Sequence, residues 1–133
     1  MNLIKKFLDF FKKRKTKKIY NALDVAKYII YKCSRENQLI SNTQLNIILY
    51  YCQKYYIKQY NQKLFLDDIH IKPFGPCIDK VYNYFCGFGS FPIYYLPDVE
   101  PIHEIDWIIE SNRQFSYHVL IKEFRSKEKD LIC

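Results

Sequence analysis

Glycine is scarce in this chain, with three in 133 residues, and histidine equally so. The only close glycine pair, in Cys86-Gly87-Phe88-Gly89-Ser90, lacks the lysine and the spacing of a phosphate-cradling loop, which argues against nucleotide chemistry. The run of about 18 or more apolar residues that a membrane-crossing helix needs is also missing. The longest uncharged stretch, Val81 to Pro97, is broken by Gly87, Gly89, Pro92 and Pro97. Five cysteines (Cys33, Cys52, Cys77, Cys86 and Cys133) form an odd set without a CxxC pair. Neither a disulfide framework nor a zinc site follows from such spacing, and the expectation is reduced thiols in a cytoplasmic protein, mostly filling the core. No metal, cofactor or catalytic set is expected.

A length of 133 residues fits one domain, and 49% hydrophobic with 26% charged residues predicts a folded globule with a real core. The 13 Tyr and 10 Phe, beside abundant Ile, Lys and Asn, fit an AT-rich coding bias. The net charge of +7 is local. Residues 1–18 carry Lys5, Lys6, Lys12, Lys13, Arg14, Lys15, Lys17 and Lys18 against Asp9 alone, whereas residues 19–133 hold thirteen bases and thirteen acids. A neutral body argues against nucleic-acid binding by the domain itself, because such modules carry a basic face.

The charged segment, residues 1–19, is a leader and linker. Leu3, Ile4, Phe7, Leu8, Phe10 and Phe11 share one arc of a helix over 3–13, with the lysines opposite. Three uses are open to it: docking its Leu/Phe face on the body or a partner, lying on an anionic membrane, or contacting nucleic acid. Phe7, Phe11, Lys12, Lys13, Arg14, Lys15, Lys17 and Lys18 are the candidate residues for the last two. A peripheral membrane location is therefore the alternative to a purely cytoplasmic one.

The domain proper runs over 20–133. Asn21 is set to cap a helix reaching about Glu36, with Asp24 in its first turn and Tyr20 stapled on Val25. Ser41-Asn42-Thr43-Gln44 fits a capping box, flanked by Ile40 and Leu45 at staple positions, and opens a helix to about Tyr60. Ile69-His70-Ile71-Lys72 alternates and predicts a short strand, paired with Leu64-Phe65-Leu66. Pro76 suits the first position of a third helix, buried through Ile78, Val81, Tyr82 and Phe85 and ended by Gly87. A Gly/Pro-punctuated aromatic loop over 87–97 precedes helices over about 99–112 and from Ser116. The fold class is mainly α: a single-domain bundle of about five helices, a small β element near residues 64–72, and the amphipathic leader.

The stretch Ile40-Ser-Asn-Thr-Gln-Leu-Asn-Ile-Ile-Leu-Tyr-Tyr-Cys-Gln53, then Leu64-Phe65, Asp68-Ile69, Phe74-Gly75-Pro76 and Val81-Tyr82, resembles the Panacea antitoxin domain, or SocA-like family, in order and spacing. The likeness covers about Ala22 to Tyr95. Asn46-Ile47 stands where the family often has Gln-Lys, His70 where a small residue is common, and Phe124-Arg125 and Asp130-Leu131 near its Thr-His and Pro-Trp positions. The resemblance implies a small cytoplasmic antitoxin, commonly carried by prophages, that neutralises a toxin by direct contact and brings no catalytic residues or cofactor.

Two chemistries compete at Cys77. In the first turn of a helix its thiolate would be stabilised, and His70, His103 or His118 would supply a base; the plainer expectation is packing. Paired carboxylates at Asp67-Asp68 and along Glu100, Glu104, Asp106 and Glu110 read as capping groups and a solvated helix face. Tyrosines on the second helix exceed what one core arc can hold, so some reach the surface, where tyrosine favours interfaces. A second aromatic group comprises Tyr82, Tyr84, Phe88, Phe91, Tyr94 and Tyr95. Tyr50, Tyr51, Tyr55, Phe74, Gly75, Pro76, Tyr82 and Phe88 are the expected partner contacts. The expected function is non-enzymatic neutralisation of a protein toxin. The alternatives are a mobile-element inhibitor of a host or defence protein, and an adaptor using the leader.

Overall fold

The computed structural model describes residues 3–6 and 17–129. Residues 3–6 are helical, with Leu3 and Ile4 exposed; the remainder of the expected leader helix, including Phe7, Phe11, Lys12, Lys13, Arg14 and Lys15, lies outside the described residues.

Helix α1 (Ala22–Arg35) begins where the Asn21 side chain accepts from the Asp24 N–H at 2.9 Å. The capping box of α2 (Asn42–Tyr60) is complete: the Ser41 side chain accepts from the Gln44 N–H, and the Ser41 N–H donates to Gln44 Oε1 at 2.8 Å. These local bonds fix both starts independently of packing. A two-stranded antiparallel hairpin follows, β1 (His70–Lys72) with β2 (Gly75–Cys77), in the register His70 with Cys77 and Lys72 with Gly75. Then come α3 (Asp79–Tyr84), a 3-10 turn at Cys86–Phe88, another at His103–Ile105, α4 (Asp106–Asn112) and α5 (Tyr117–Lys127), the last capped by Ser116. The chain is mainly helical with one small sheet, as expected.

The main core gathers Val25, Ala26, Ile29, Ile30 and Cys33 of α1 with Leu45, Ile48, Leu49, Cys52 and Tyr56 of α2. Ile78, Val81, Phe85, Ile93 and the four isoleucines Ile102, Ile105, Ile108 and Ile109 close it. Each such side chain contributes about 1.5–3 kcal/mol by leaving water. A separate cluster joins Ile47 of α2 to Leu120, Ile121 and Phe124 of α5. The second helix is thus buried on two sides, which explains its lack of a single apolar stripe.

Four expectations need correction. Leu64-Phe65 does not pair with β1. Its backbone is taken by other partners: Gln53 Oε1 accepts from the Leu64 and Phe65 N–H groups, Gln53 Nε2 donates to the Phe65 carbonyl at 2.7 Å, and the Tyr20 N–H donates to the Leu64 carbonyl. Pro76 sits in β2, not at a helix start, and α3 waits until Asp79, because Gly75–Cys77 pair with β1 and Ile78 is still extended, its N–H donating to buried Asn46 Oδ1 at 2.9 Å. A two-stranded sheet has only edge strands, which tolerate a residue without an N–H. The third helix ends at Tyr84, before Gly87, which lies in a 3-10 turn. The expected helix from 99 starts only at the His103 turn, because Pro101 pushes Glu100 away from helical geometry.

Candidate functional site

The Phe74-Gly75-Pro76 elbow is architecture rather than surface. Phe74 stacks on Tyr82, ring centroids 5.2 Å apart, and its carbonyl accepts from Tyr117 Oη at 2.7 Å. Gly75 and Pro76 are buried. Gly75 adopts φ +116°, a backbone conformation that favours glycine, and a Cβ there would stand 2.7 Å from Ile121 Cδ1, whose side chain would have to move aside. Asn42 Nδ2 donates to the Tyr82 carbonyl, tying α3 to the start of α2.

Cys77 lies in β2, two residues ahead of α3, and not in the first turn of a helix as expected. The thiol is buried and donates to Asp79 Oδ1 at 3.6 Å; burial first, then Asp79, pushes it up to about 11. His70 lies across the hairpin, but its Nε2 faces Asp79 Oδ2 at 3.9 Å. A thiol held protonated at neutral pH is the opposite of an activated nucleophile. Cys33 and Cys52 are likewise buried and free, whereas Cys86 is exposed. Among the described residues no group of His, Cys, Asp or Glu is arranged to hold a metal.

The acidic residues are engaged in structure. Asp67 accepts from the Ala22 N–H at the start of α1. Glu110 and Glu36 flank Lys32 at 3.0 and 2.8 Å, and Arg113 reaches Glu36 at 2.7 Å, so charge ties α1 to α4. Asp106 accepts from Tyr28 Oη. Glu100 and Glu104 hold Lys18 at 2.8 Å and Lys17 at 3.5 Å, while these ammonium groups also lie over the rings of Tyr20 and Tyr60. Lys17 and Lys18, assigned by sequence to the leader, are therefore folded onto the body.

Most of the aromatic surface falls into two regions. A groove of about 510 Å³ runs between α2, α4 and α5, lined by Tyr51, Tyr55, Lys58, Trp107, Ile108 and Glu123 among others. Trp107 is 56% exposed and meets Tyr55 edge-to-face at 5.0 Å. Burial, then Glu123 and Glu128, push Tyr51 up to about 12. The other region is the segment from Tyr84 to Leu96, where Phe91 is 75% exposed and Tyr84, Phe88, Tyr94 and Leu96 also reach solvent.

Of the expected contacts, Tyr51 and Tyr55 come together in the groove, and Phe88 stands apart in the aromatic loop. Tyr50 turns instead toward Phe124, 5.1 Å away edge-to-face, and Tyr82 toward Phe74. Trp107 and Lys58 were missed. The signal for Trp107 was present in the sequence: it is the only tryptophan, and it lies off the isoleucine stripe of its own helix. No described helix is long and apolar enough to cross a membrane. Comparisons of the chain with models of protein families, with curated proteins and with solved structures give no match.

Proposed function

We propose that this chain is a non-enzymatic, antitoxin-like protein that neutralises a partner toxin by direct binding. The observation carrying this reading is exposed Trp107 set against half-buried Tyr55 in a groove along α2, the helix whose sequence bears the main part of the Panacea resemblance. Large aromatic side chains held at the surface by a rigid scaffold supply contact area at little entropic cost. Such a face acts by occlusion: it covers the partner's active site or substrate path without bond chemistry. The protonated, buried Cys77 is consistent with that reading.

Co-expression with the product of the neighbouring open reading frame is the test. That product should arrest growth alone and lose its effect when this chain is present. A harmless neighbour, or one that stays toxic beside this chain, removes the reading.

The leader supplies an accessory contact with an anionic membrane surface, supported by exposed Leu3 and Ile4 and by the six basic residues that precede Lys17. Full-length protein should sediment with phosphatidylserine vesicles and not with phosphatidylcholine vesicles. Equal behaviour with both would exclude this contact.

A further inference from the structure

We infer that the groove between α2, α4 and α5 takes an acidic amphipathic helix of the partner protein. This rests on the proposed function and deepens it by naming the docking element.

The walls of the groove are helices, whose backbone N–H and C=O groups are already bonded within each helix. They offer an incoming chain no sheet edge to pair with. That excludes docking by strand addition and favours an occupant that satisfies its own backbone, as a helix does. The α2 lining residues run from Tyr51 to Gln59, about 12 Å along the axis at 1.5 Å per residue. That is room for about two turns of a docked helix, with apolar anchors at i, i+3 or i+4, and i+7 against Tyr55, Trp107 and Ile108.

Charge selects the sign of the partner. Three lysines line the groove, Lys54, Lys58 and Lys127, against the single carboxylate of Glu123. Lys127 pairs with Glu123 at 2.7 Å, and Lys54 pairs with Glu128, whose side chain is largely covered. Lys58 lies exposed one turn beyond Lys54, and the balance at the mouth is positive. A partner helix carrying Asp or Glu beside its apolar stripe fits this rim, and a basic one is repelled.

Aromatic rings and lysines also serve single-stranded nucleic acids. Here Tyr55 and Trp107 meet at an interplanar angle of 89°, so they present no pair of parallel faces between which a base could stack. Residues 19–133 are neutral overall, without the basic face that nucleic-acid modules carry.

The test uses the full chain and three probes: a fluorescein-labelled synthetic helix with a Leu stripe and Glu elsewhere, its Lys-substituted counterpart, and labelled oligothymidylate. The acidic helix should raise anisotropy and shift the emission of the single tryptophan to the blue. It should bind about tenfold more tightly than the basic counterpart, an advantage that shrinks with salt. Lys58→Glu should remove most of that preference, and Trp107→Ala should weaken binding about tenfold or more. Both side chains are exposed, so circular dichroism should show unchanged folding.

Equal or tighter binding of the basic helix, a preference that survives Lys58→Glu, or oligothymidylate competing for the tryptophan shift would each overturn the inference. So would acidic-helix binding without any change at Trp107. None of these outcomes bears on neutralisation in the co-expression assay, and loss of neutralisation by wild-type chain leaves the peptide result standing.

Discussion

The face of α2 turned toward α1 and α4 packs into a far larger cluster than the face turned toward α5. On the first, Leu45, Ile48, Leu49, Cys52 and Tyr56 meet three other helices and several loop isoleucines, all shut off from water. On the second, Ile47 meets Leu120, Ile121 and Phe124, roofed by half-exposed Tyr50, Tyr51 and Tyr117. One helix thus serves as the centre of a sealed core and as one wall of an open groove. Tyr51 and Tyr55 line that groove and also pack against the main core, so recognition there is built on the edge of the scaffold rather than apart from it.

The largest effect expected is from Leu49→Ala, about 2–5 kcal/mol of global stability lost in urea unfolding, since the sealed side cannot collapse around the cavity. Its counterpart, Phe124→Ala, should open the second face first. Amide exchange should accelerate over α5 while α1 stays protected. If both helices lose protection together, the two faces form one cooperative unit and the contrast disappears.

Gln53→Ala should cost about 3 kcal/mol, because the Leu64 and Phe65 N–H groups and the Phe65 carbonyl lose their partner inside the protein. Thermal unfolding of this variant beside Leu49→Ala would show whether a buried amide rivals a buried leucine on the sealed side.

Alkaline pH probes the fold through two buried thiols, Cys33 of the main core and Cys77 of the hairpin. Burial first pushes Cys33 up to about 11 from an ordinary 9.0, opposed by Arg113, and Cys77 reaches about 11 as well. The raised values mean the unfolded state loses these protons first. Stability from the thiols is therefore complete below about pH 9 and declines as pH rises toward about 11. Cys33→Ala with Cys77→Ala should flatten that decline in melting temperature. An unchanged decline would assign it to other groups.

The smallest effect is expected from Ser41→Ala, about 1 kcal/mol in chemical denaturation, from loss of the bond to the Gln44 N–H. Rescue by Ser41→Asp, and not by Ser41→Val, would sharpen the assignment to capping rather than packing.

Helix starts were legible where a side chain near in sequence does the work. Asn21, Ser41 and Ser116 each bond an N–H three residues on, so their effect needs no knowledge of the rest of the chain. Apolar periodicity likewise located Leu45 to Tyr56 and the four isoleucines of the 102–109 stretch. What failed depends on distant partners. The strand pairing of Leu64-Phe65 is decided by Gln53, eleven and twelve residues away, and the late start of α3 by the pairing of Gly75–Cys77 with β1, beside which Asn46 takes the Ile78 N–H from thirty-two residues away. A buried amide looks like any polar residue on a helix until its recipients are known. The candidate site was half legible: excess tyrosine on α2 pointed to Tyr51 and Tyr55, but the pairing of Tyr55 with Trp107 is made only by the packing of α4 against α2.

The missing Cβ of Gly75 has a reach beyond its own hairpin. Ile121 occupies that vacancy from one side of the final helix, while Glu123 and Lys127 of the same helix face the aromatic groove on another. One added methyl group at position 75 would strain a backbone conformation open to glycine and press first on the tip of Ile121, on the far flank of the helix that walls the groove.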